Sequence, residues 1–207
     1  MGNESVLIIG GGPSTLDTHR WVDLNVDYKI TVSTAYLNET IRNTQIDYHV
    51  ISVQTDFNSD YFKEWYDKNP NCQFIIEDNH LWKLPNGFSN FKPKTPITHI
   101  NINENFTLGI LPRIIIWLIK TKQFSDIYFV GLDGYSEDGK AQHAFIKNKN
   151  KLDINSAHAK TYDMVYSHFK RFYEYITHIK GNVNLHNIGY GHDSNILTKL
   201  DINKELI

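Results

Sequence analysis

The sequence predicts an α/β fold in which a parallel sheet carries helices on both faces. Short β-rich runs alternate with stretches of helical periodicity along most of the chain, an order typical of such sheets. The first run is apolar at every position, as expected of a strand buried on both faces, and three glycines follow it directly. The 207 residues, 41% of them hydrophobic, can bury one sizeable core but leave little room for two. We therefore predict a single Rossmann-like domain over residues 1–207.

Six strands are predicted from these β-rich runs. They cover Val6–Ile9, Lys29–Ser33, Tyr48–Val53, Gln73–Glu77, Ile127–Val130 and Val183–Ile188. Helical patterns separate most of the runs, and this alternation indicates a parallel sheet.

Two helices have the clearest periodicity. The stretch Gly109–Lys122 is apolar over most of its surface, which predicts a buried helix, and its Pro112 falls in the first turn, where proline is tolerated. The stretch Ala157–Ile179 carries apolar residues at intervals of three and four, which predicts a helix packed on the sheet. Two long stretches, 84–105 and 134–155, have loop-like composition and are candidate lids.

The composition narrows the classes of partner. Lysine and arginine number 21 against 23 acidic residues, so no overall charge draws the chain to nucleic acid or an anionic membrane. The single cysteine, Cys72, excludes an intramolecular disulfide and a cysteine-based zinc cluster and fits a reducing compartment. No run is long enough for a transmembrane segment, and no basic leader precedes the first strand. We expect a cytoplasmic protein, with homo-oligomerisation left open.

The turn after the first strand is the strongest functional signal. Glycines at this place let the backbone approach an anion closely, and a following helix offers free amides. The predicted nucleotide-binding residues of the turn are Gly10, Gly11, Gly12 and Ser14. A branched side chain at Gly12 is then expected to abolish nucleotide binding while the fold stays intact. A turn that serves packing alone is the alternative.

The turn departs from the fingerprint of dinucleotide-binding enzymes. Thr15 stands at the position of the third glycine, and Ser33 begins a Ser-Thr-Ala stretch where NAD or FAD would need an acidic residue. This pattern indicates a nucleotide site without a dehydrogenase. Ligands of open α/β sheets lie beyond the carboxyl ends of the strands, which adds Ser33 and Gln54 as candidates for ribose or base contacts. A turn or cap role is the alternative for both.

Two later segments complete the predicted nucleotide site. Thr107 can cap the buried helix, and Gly109 can let an anion approach its first amides, although capping alone is equally open. Asp133 and Tyr135 follow the strand Ile127–Val130. A carboxylate at the end of a strand is better placed for ligand binding or catalysis than for core packing, so Asp133 is a candidate for both roles.

Two of the ten histidines are candidates for a general base. His158 falls in the first turn of the second predicted helix, where the positive helix end keeps the imidazole neutral and able to accept a proton. His143 falls in the loop after Asp133. A surface histidine is the alternative for each. The chain contains no HExxH and no Gly-Lys-Ser/Thr pattern, so zincins and P-loop enzymes are poorly supported.

Three of these features resemble one superfamily. Gly-Gly-Gly-Pro-Ser-Thr-Leu at 10–16, the glycine-led buried helix and Gly-Leu-Asp-Gly-Tyr at 131–135 are similar to bacterial sialyltransferases of the Campylobacter lipooligosaccharide type, to 6-hydroxymethylpterin diphosphokinase-like proteins and to motility accessory factors that modify flagellin. The stretch His158–Asp163 resembles the His-x-Lys-x-x-Asp helix start of the sialyltransferases. The resemblance implies that a cytidine monophosphate (CMP) donor is held by Gly11, Gly12, Ser14, Thr107 and Gly109.

The resemblance implies a glycosyltransferase that uses a CMP-activated sugar, such as sialic acid or a related nonulosonic acid, and a glycan or glycolipid acceptor. His158, or failing that His143, is the expected base, and no cofactor or metal is expected. The alternative enzyme is a Mg²⁺-dependent diphosphokinase, because the stretch 138–144 is more similar to that branch. A nucleotide-binding module without catalysis is the third reading, since Ile154 replaces a histidine of the sialyltransferase pattern.

Overall fold

A computed structural model of the protein describes residues 3–78, 83–102, 109–133, 162–189 and 203–204. Eight strands form one sheet, and every strand pairing in it is parallel. The strands are β1 (Glu4–Ile9), β2 (Tyr28–Val32), β3 (Tyr48–Ile51), β4 (Gln73–Glu77), β5 (Ile97–Ile100), β6 (Phe124–Val130), β7 (Asn184–Asn187) and β8 (Asn203–Lys204). Their order across the sheet is β5-β4-β3-β2-β1-β6-β7-β8. The predicted α/β, Rossmann-like single domain is confirmed.

Helices cover both faces of the sheet. They are α1 (Glu39–Arg42), α2 (Asp60–Lys68), α3 (Ile110–Thr121) and α4 (Tyr162–Ile179). Ile115 of α3 and Phe172 of α4 belong to one buried cluster, together with Val6 of β1. Trp65 of α2 belongs to a second cluster on the other face, together with Leu7 of β1. Because successive strand residues point to opposite faces, β1 has to be apolar at every inner position.

The predicted strands and the buried helix agree with the structure to within a few residues. The six predicted strands correspond to β1–β4, β6 and β7, and the helix predicted over Gly109–Lys122 is α3. The second predicted helix ends at Ile179 as expected, and its start, 157–161, lies outside the described residues. The candidate lid 134–155 also lies outside them.

The prediction of an irregular loop over 84–105 is wrong at residues 97–100, which form the strand β5. This segment contains a short 3-10 turn, Phe88–Asn90, and the strand β5 at one edge of the sheet. An edge strand has one neighbour and leaves side chains such as Thr98 and His99 exposed, so its apolar signal is weak. Pro93 and Pro96 stand just before it, and prolines are typical of loops.

The strand order reverses beside β1. Strands β2 to β5 lie on one side of β1, while β6 to β8 lie on the other, and the chain crosses back from the far edge through α3. At such a switch point the connections that leave two adjacent strands diverge and open a crevice at the carboxyl ends. The loops after β1 and β6 therefore border the position where this fold class binds ligands.

The fold also buries a histidine in its second cluster. His49 of β3 is 0% exposed; its Nδ1 lies 2.9 Å from Thr31 Oγ1, and its ring centre lies 4.9 Å from that of Trp65. Burial lowers the pKa of His49 from its ordinary value of 6.5 to about 3. In the unfolded chain the His49 imidazole therefore binds a proton below about pH 6.5, whereas in the native state it stays neutral down to about pH 3.

We expect the His49 contribution to stability to be complete above pH 6.5 and to fall by about 1.4 kcal/mol per pH unit between pH 6.5 and 3. Urea unfolding at pH 7, 5.5 and 4.5 measures this for the wild-type chain and for His49→Gln, which cannot titrate. Other ionisable groups cancel in the difference between the two curves. A constant difference over this range would contradict the assignment.

Candidate functional site

The glycine turn after β1 and the loop after β6 are joined by hydrogen bonds at the switch point. The N–H of Gly10 donates to the carbonyl of Val130 at 2.9 Å, and the N–H of Gly12 donates to that of Gly131 at 3.0 Å. In return, the N–H of Gly131 donates to Ser14 Oγ at 2.9 Å. Two segments that the sequence assigned to one site are therefore neighbours in the fold.

Asp133 is held against this turn. Its Oδ2 accepts a hydrogen bond from the N–H of Ser14 at 2.7 Å. The Asp133 carboxylate thus accepts a hydrogen bond from a backbone N–H of the turn, where the sequence predicted a bound phosphate. The contact ties the loop after β6 to the glycine turn and gives Asp133 a positioning role that the sequence did not predict.

Close packing accounts for two of the glycines. Gly12 has φ −77° and ψ 165°, which any residue can adopt. A Cβ there would nevertheless lie 2.5 Å from Asp133 Oδ2 and 2.6 Å from the carbonyl oxygen of Gly131. A Cβ on Gly10 would lie 2.5 Å from Leu111 Cδ2, in the first turn of α3. The Gly131 backbone therefore requires glycine at position 12 whatever the turn binds, whereas the Leu111 side-chain end beside Gly10 can shift.

The helix expected directly after the turn is absent. Two 3-10 turns, Pro13–Leu16 and Thr18–Arg20, take its place. Thr15 stabilises the first of them, because both its N–H and its Oγ1 donate to the carbonyl of Gly12. The buried Trp21 ring fixes the same segment, since its Nε1 donates to the carbonyl of Thr15 at 3.0 Å. This segment therefore lacks the aligned free amides of an α-helix N-terminus.

Free backbone donors remain at Gly11 and at the start of α3. In the described part of the chain, the N–H of Gly11 has no hydrogen-bond partner. The first amides of an α-helix also have no partner within the helix, and α3 begins beside the turn, because Leu111 packs against Gly10. Gly109 has φ 84° and ψ −170°, a region that essentially only glycine occupies. Thr107 lies outside the described residues.

Ser33 and Gln54 lie at the same edge of the sheet, after β2 and β3. Ser33 has a left-handed backbone with φ 58°, and its Oγ shares a hydrogen bond of 2.7 Å with Ser52 Oγ. The N–H of Gln54 donates to that same oxygen of Ser52 at 3.1 Å, and the Gln54 side chain is exposed. These contacts link the ends of β2 and β3 and leave the Gln54 amide accessible.

The sequence did not predict two buried donors, on Asn187 and Tyr173, that have no hydrogen-bond partner in the described structure. Asn187 ends β7 and is 0% exposed; its Oδ1 accepts from the N–H of Gly189 at 3.0 Å, and its Nδ2 has no partner in the described structure. The hydroxyl of Tyr173 on α4 is also buried without a partner. Burial, and then the charge of Asp133, raise the pKa of Tyr173. Asn187 lies inside the predicted strand Val183–Ile188, so the strand-end rule passed over it, whereas β7 itself ends at this residue.

A buried ion pair supports the start of α3. Arg113 Nε lies 2.8 Å and 2.7 Å from the two carboxylate oxygens of Glu77, and Arg113 Nη2 donates to Glu77 Oε1 and, at 2.9 Å, to the carbonyl of Ile102. The pair connects the carboxyl end of β4, the chain after β5 and the first turn of α3. An arginine within the apolar run Ile110–Ile119 was the available sequence signal.

The remaining predicted site residues, Tyr135, His143 and His158, lie outside the described residues. Glu137 and Asp138, which could hold Mg²⁺ together with Asp133 under the diphosphokinase alternative, also lie outside the described residues. Within the ranges that the structure describes, no group of three or more His, Cys, Asp or Glu side chains is placed to hold a metal ion.

Comparisons with known proteins identified no similar protein. No family model matches the chain, and neither the curated proteins nor the solved structures gave a match. Among the described residues, no helix has both the length and the apolar character needed to cross a membrane.

Proposed function

We propose that the protein is a glycosyltransferase whose donor is a nucleotide-activated sugar, most specifically a CMP-linked nonulosonic acid such as sialic acid. The observation that carries this proposal is the junction of the glycine turn with the loop of Asp133 at the switch point of the sheet. This is the place where open α/β sheets bind nucleotides. The choice of CMP and of the sugar rests on the resemblance of the two segments to the sialyltransferases.

In the proposed complex the donor phosphate lies between the turn and the start of α3. The N–H of Gly11, which has no partner among the described residues, and the first amides of α3 can donate to its oxygens. The positive end of the α3 dipole favours the same charge. As the sugar leaves, negative charge grows on CMP, and fixed backbone donors stabilise it without reorganising.

In the same proposal His158 takes the proton from the acceptor hydroxyl, because the helix start that the sequence predicts at this residue favours the neutral ring. The acceptor oxygen then forms a bond to the anomeric carbon of the sugar. The bond from that carbon to the phosphate oxygen breaks, and CMP leaves with the electron pair of that bond.

A Mg²⁺-dependent diphosphokinase is the second candidate. The observation that favours it is the Asp133 carboxylate at the end of β6, 2.7 Å from the turn amide of Ser14. Carboxylates beside a phosphate are common ligands of Mg²⁺, which bridges them to the phosphate oxygens. The two candidates differ in their nucleotide and in their need for metal.

We expect CMP or CDP to stabilise the protein without metal in a thermal-shift screen that also includes UDP, GDP and ATP, each with and without Mg²⁺. At 100 times its dissociation constant a ligand adds about 2.7 kcal/mol, which raises the Tm of a domain of this size by about 5–10 °C. Release of CMP from CMP-sialic acid then measures turnover. Stabilisation by ATP only with Mg²⁺ favours the diphosphokinase, and binding without turnover of any donor favours a non-catalytic module.

Two glycine variants make a matched control for this screen. Gly109 and Gly181 both have positive φ, 84° and 57°, and a Cβ on either would meet open space. Alanine at each should therefore strain the backbone without a clash. Gly109→Ala should weaken CMP binding, because Gly109 is the N-cap of α3, whereas Gly181→Ala after α4 should not. Equal CMP affinities of the two variants would show that the start of α3 is not part of the nucleotide site.

A further inference from the structure

Ser33, directly after β2, has a backbone conformation that serine rarely adopts. Among the described residues other than glycine, only Ser33 and Lys122 have a positive φ, 58° and 53°. This left-handed region is unfavourable for any residue with a Cβ. The surroundings enforce it at Ser33, whose N–H donates to the carbonyl of Val50 at 2.9 Å and whose carbonyl accepts from Thr55 Oγ1 at 3.4 Å. Strain that the fold maintains in this way points to a function of the strained residue.

The Ser33 hydroxyl is the last group of a chain of hydrogen bonds. The N–H of Gln54 donates to Ser52 Oγ at 3.1 Å, and Ser52 Oγ lies 2.7 Å from Ser33 Oγ. A hydroxyl has one proton to donate. If Ser33 gave its proton to Ser52, the proton of the buried Ser52 hydroxyl would have no acceptor among the described residues, which is costly. The Ser52 proton therefore goes to Ser33 Oγ, and the Ser33 proton is left for an acceptor outside the chain.

The position of Ser33 relates it to the glycine turn. β1 and β2 are adjacent and parallel, and their register ends at the pair Ile9 and Thr31. Gly11 and Ser33 each stand two residues beyond that pair. The proposed function assigns the N–H of Gly11 to the donor phosphate, and in a nucleotide the ribose is joined to that phosphate. Ser33 is partly exposed, so it offers its proton at the edge of the sheet where the ribose would lie.

We propose that Ser33 donates a hydrogen bond to the 2′-oxygen of the ribose, and that Ser52 and Gln54 orient its proton for this contact. Enzymes with the dinucleotide fingerprint place an acidic residue after this strand, which binds the ribose 2′-hydroxyl as an acceptor. Ser33 stands there as a donor, and successive hydrogen bonds in one direction strengthen each other. The site then selects ribonucleotides over deoxyribonucleotides. This inference rests on the proposed function insofar as a nucleotide must occupy the glycine turn.

The experiment compares the affinities for CMP and 2′-deoxy-CMP by calorimetric titration, with urea unfolding of each ligand-free variant. We expect the wild-type chain to bind CMP about 3-fold to 10-fold more tightly, the range of one neutral hydrogen bond. Ser33→Gly and Ser33→Ala both remove the hydroxyl and should bind the two ligands equally. The glycine variant should have the higher urea midpoint of the two, because alanine keeps the backbone strain. Ser52→Ala removes the group that orients the Ser33 proton and should lose part of the preference.

Lys122→Gly is the matched control. Lys122 ends α3 with φ 53°, so glycine relieves the same kind of strain at the opposite end of that helix from Gly109, and the preference for CMP should stay. An unchanged preference in Ser52→Ala would overturn the orienting role of Ser52.

Two further results separate this contact from the proposed function. Equal binding of CMP and 2′-deoxy-CMP by the wild-type chain, or an unchanged preference in Ser33→Gly, would overturn the ribose contact and leave the nucleotide site in place. If AMP binds and CMP does not, loss of the preference for AMP over 2′-deoxy-AMP in Ser33→Gly would support the contact and count against CMP as the ligand. Binding of neither CMP nor AMP to the wild-type chain would overturn both proposals.

Discussion

Replacing Arg113 by methionine is expected to lower the free energy of unfolding by about 3–5 kcal/mol. The change leaves the Glu77 carboxylate, 1% exposed at the end of β4, without the cation that bonds to both of its oxygens. It also removes the donor to the Ile102 carbonyl, 2.9 Å away. Methionine keeps a long side chain of similar shape, so the expected loss reports the uncompensated charge. Urea unfolding at pH 7 measures the effect.

Two controls isolate the buried charge. The double variant Glu77→Leu with Arg113→Met should recover most of the loss, because an apolar pair needs no compensation. Lys63→Met breaks the exposed pair of Lys63 and Asp60, whose atoms are 3.3 Å apart, and should cost less than about 1 kcal/mol. A loss for Arg113→Met as small as that for Lys63→Met would contradict the claim that Glu77 depends on Arg113 for compensation.

The parts of the fold that the sequence predicted are those buried on every side. β1 packs against helices on both faces, and α3 presents buried residues in almost every direction, from Leu111 to Ile119. Continuous apolar runs of these lengths have few other structures available to them. The sequence therefore predicted the existence, order and approximate bounds of these elements without knowledge of which other elements pack against them.

The sequence did not predict the elements whose structure depends on tertiary contacts. β5 is an edge strand whose four residues pair only with β4. The chain after the glycine turn forms 3-10 turns in place of a helix because Thr15 and Trp21 bind carbonyls of the turn. Neither outcome follows from local propensity, since each depends on which side chains the fold brings near.

The position of the candidate site was predictable, whereas the roles of its residues were not. The strand-end rule placed the glycine turn and Asp133 at one edge, and the structure joins them through the N–H of Ser14. Ser14 and Asp133 are 119 residues apart in the chain, so their contact leaves no mark in local spacing. The same holds for Asn187 and Tyr173, whose unpaired donors become evident only from their surroundings.

Gly12→Val is expected to disrupt the native fold, and Gly12→Ala to lower the free energy of unfolding by about 1–3 kcal/mol or more. The sequence alone predicted loss of nucleotide binding with the fold intact. The structure changes that expectation, because a Cβ at Gly12 would lie 2.6 Å from the carbonyl oxygen and 2.9 Å from the carbonyl carbon of Gly131. Backbone atoms cannot rotate away, so β1 and β6 would have to separate at their carboxyl ends. The cost is steric, since φ −77° and ψ 165° suit any residue.

Comparing Gly12→Ala with Gly189→Ala tests this steric origin. A Cβ on Gly189 would meet mainly side-chain oxygens, those of Ser14 and Asp133 at 2.7 Å and 2.9 Å, which can shift. Gly189→Ala should therefore cost less than Gly12→Ala in urea unfolding, and adding Asp133→Ala should rescue Gly189→Ala in part but not Gly12→Ala. Retention of the wild-type urea midpoint by Gly12→Ala, with loss of CMP binding, would mean that this glycine is needed by the ligand and that the two loops can move apart freely. Because Gly12 donates its own N–H to Gly131 at 3.0 Å, we expect the two loops to resist separation and the stability loss to dominate.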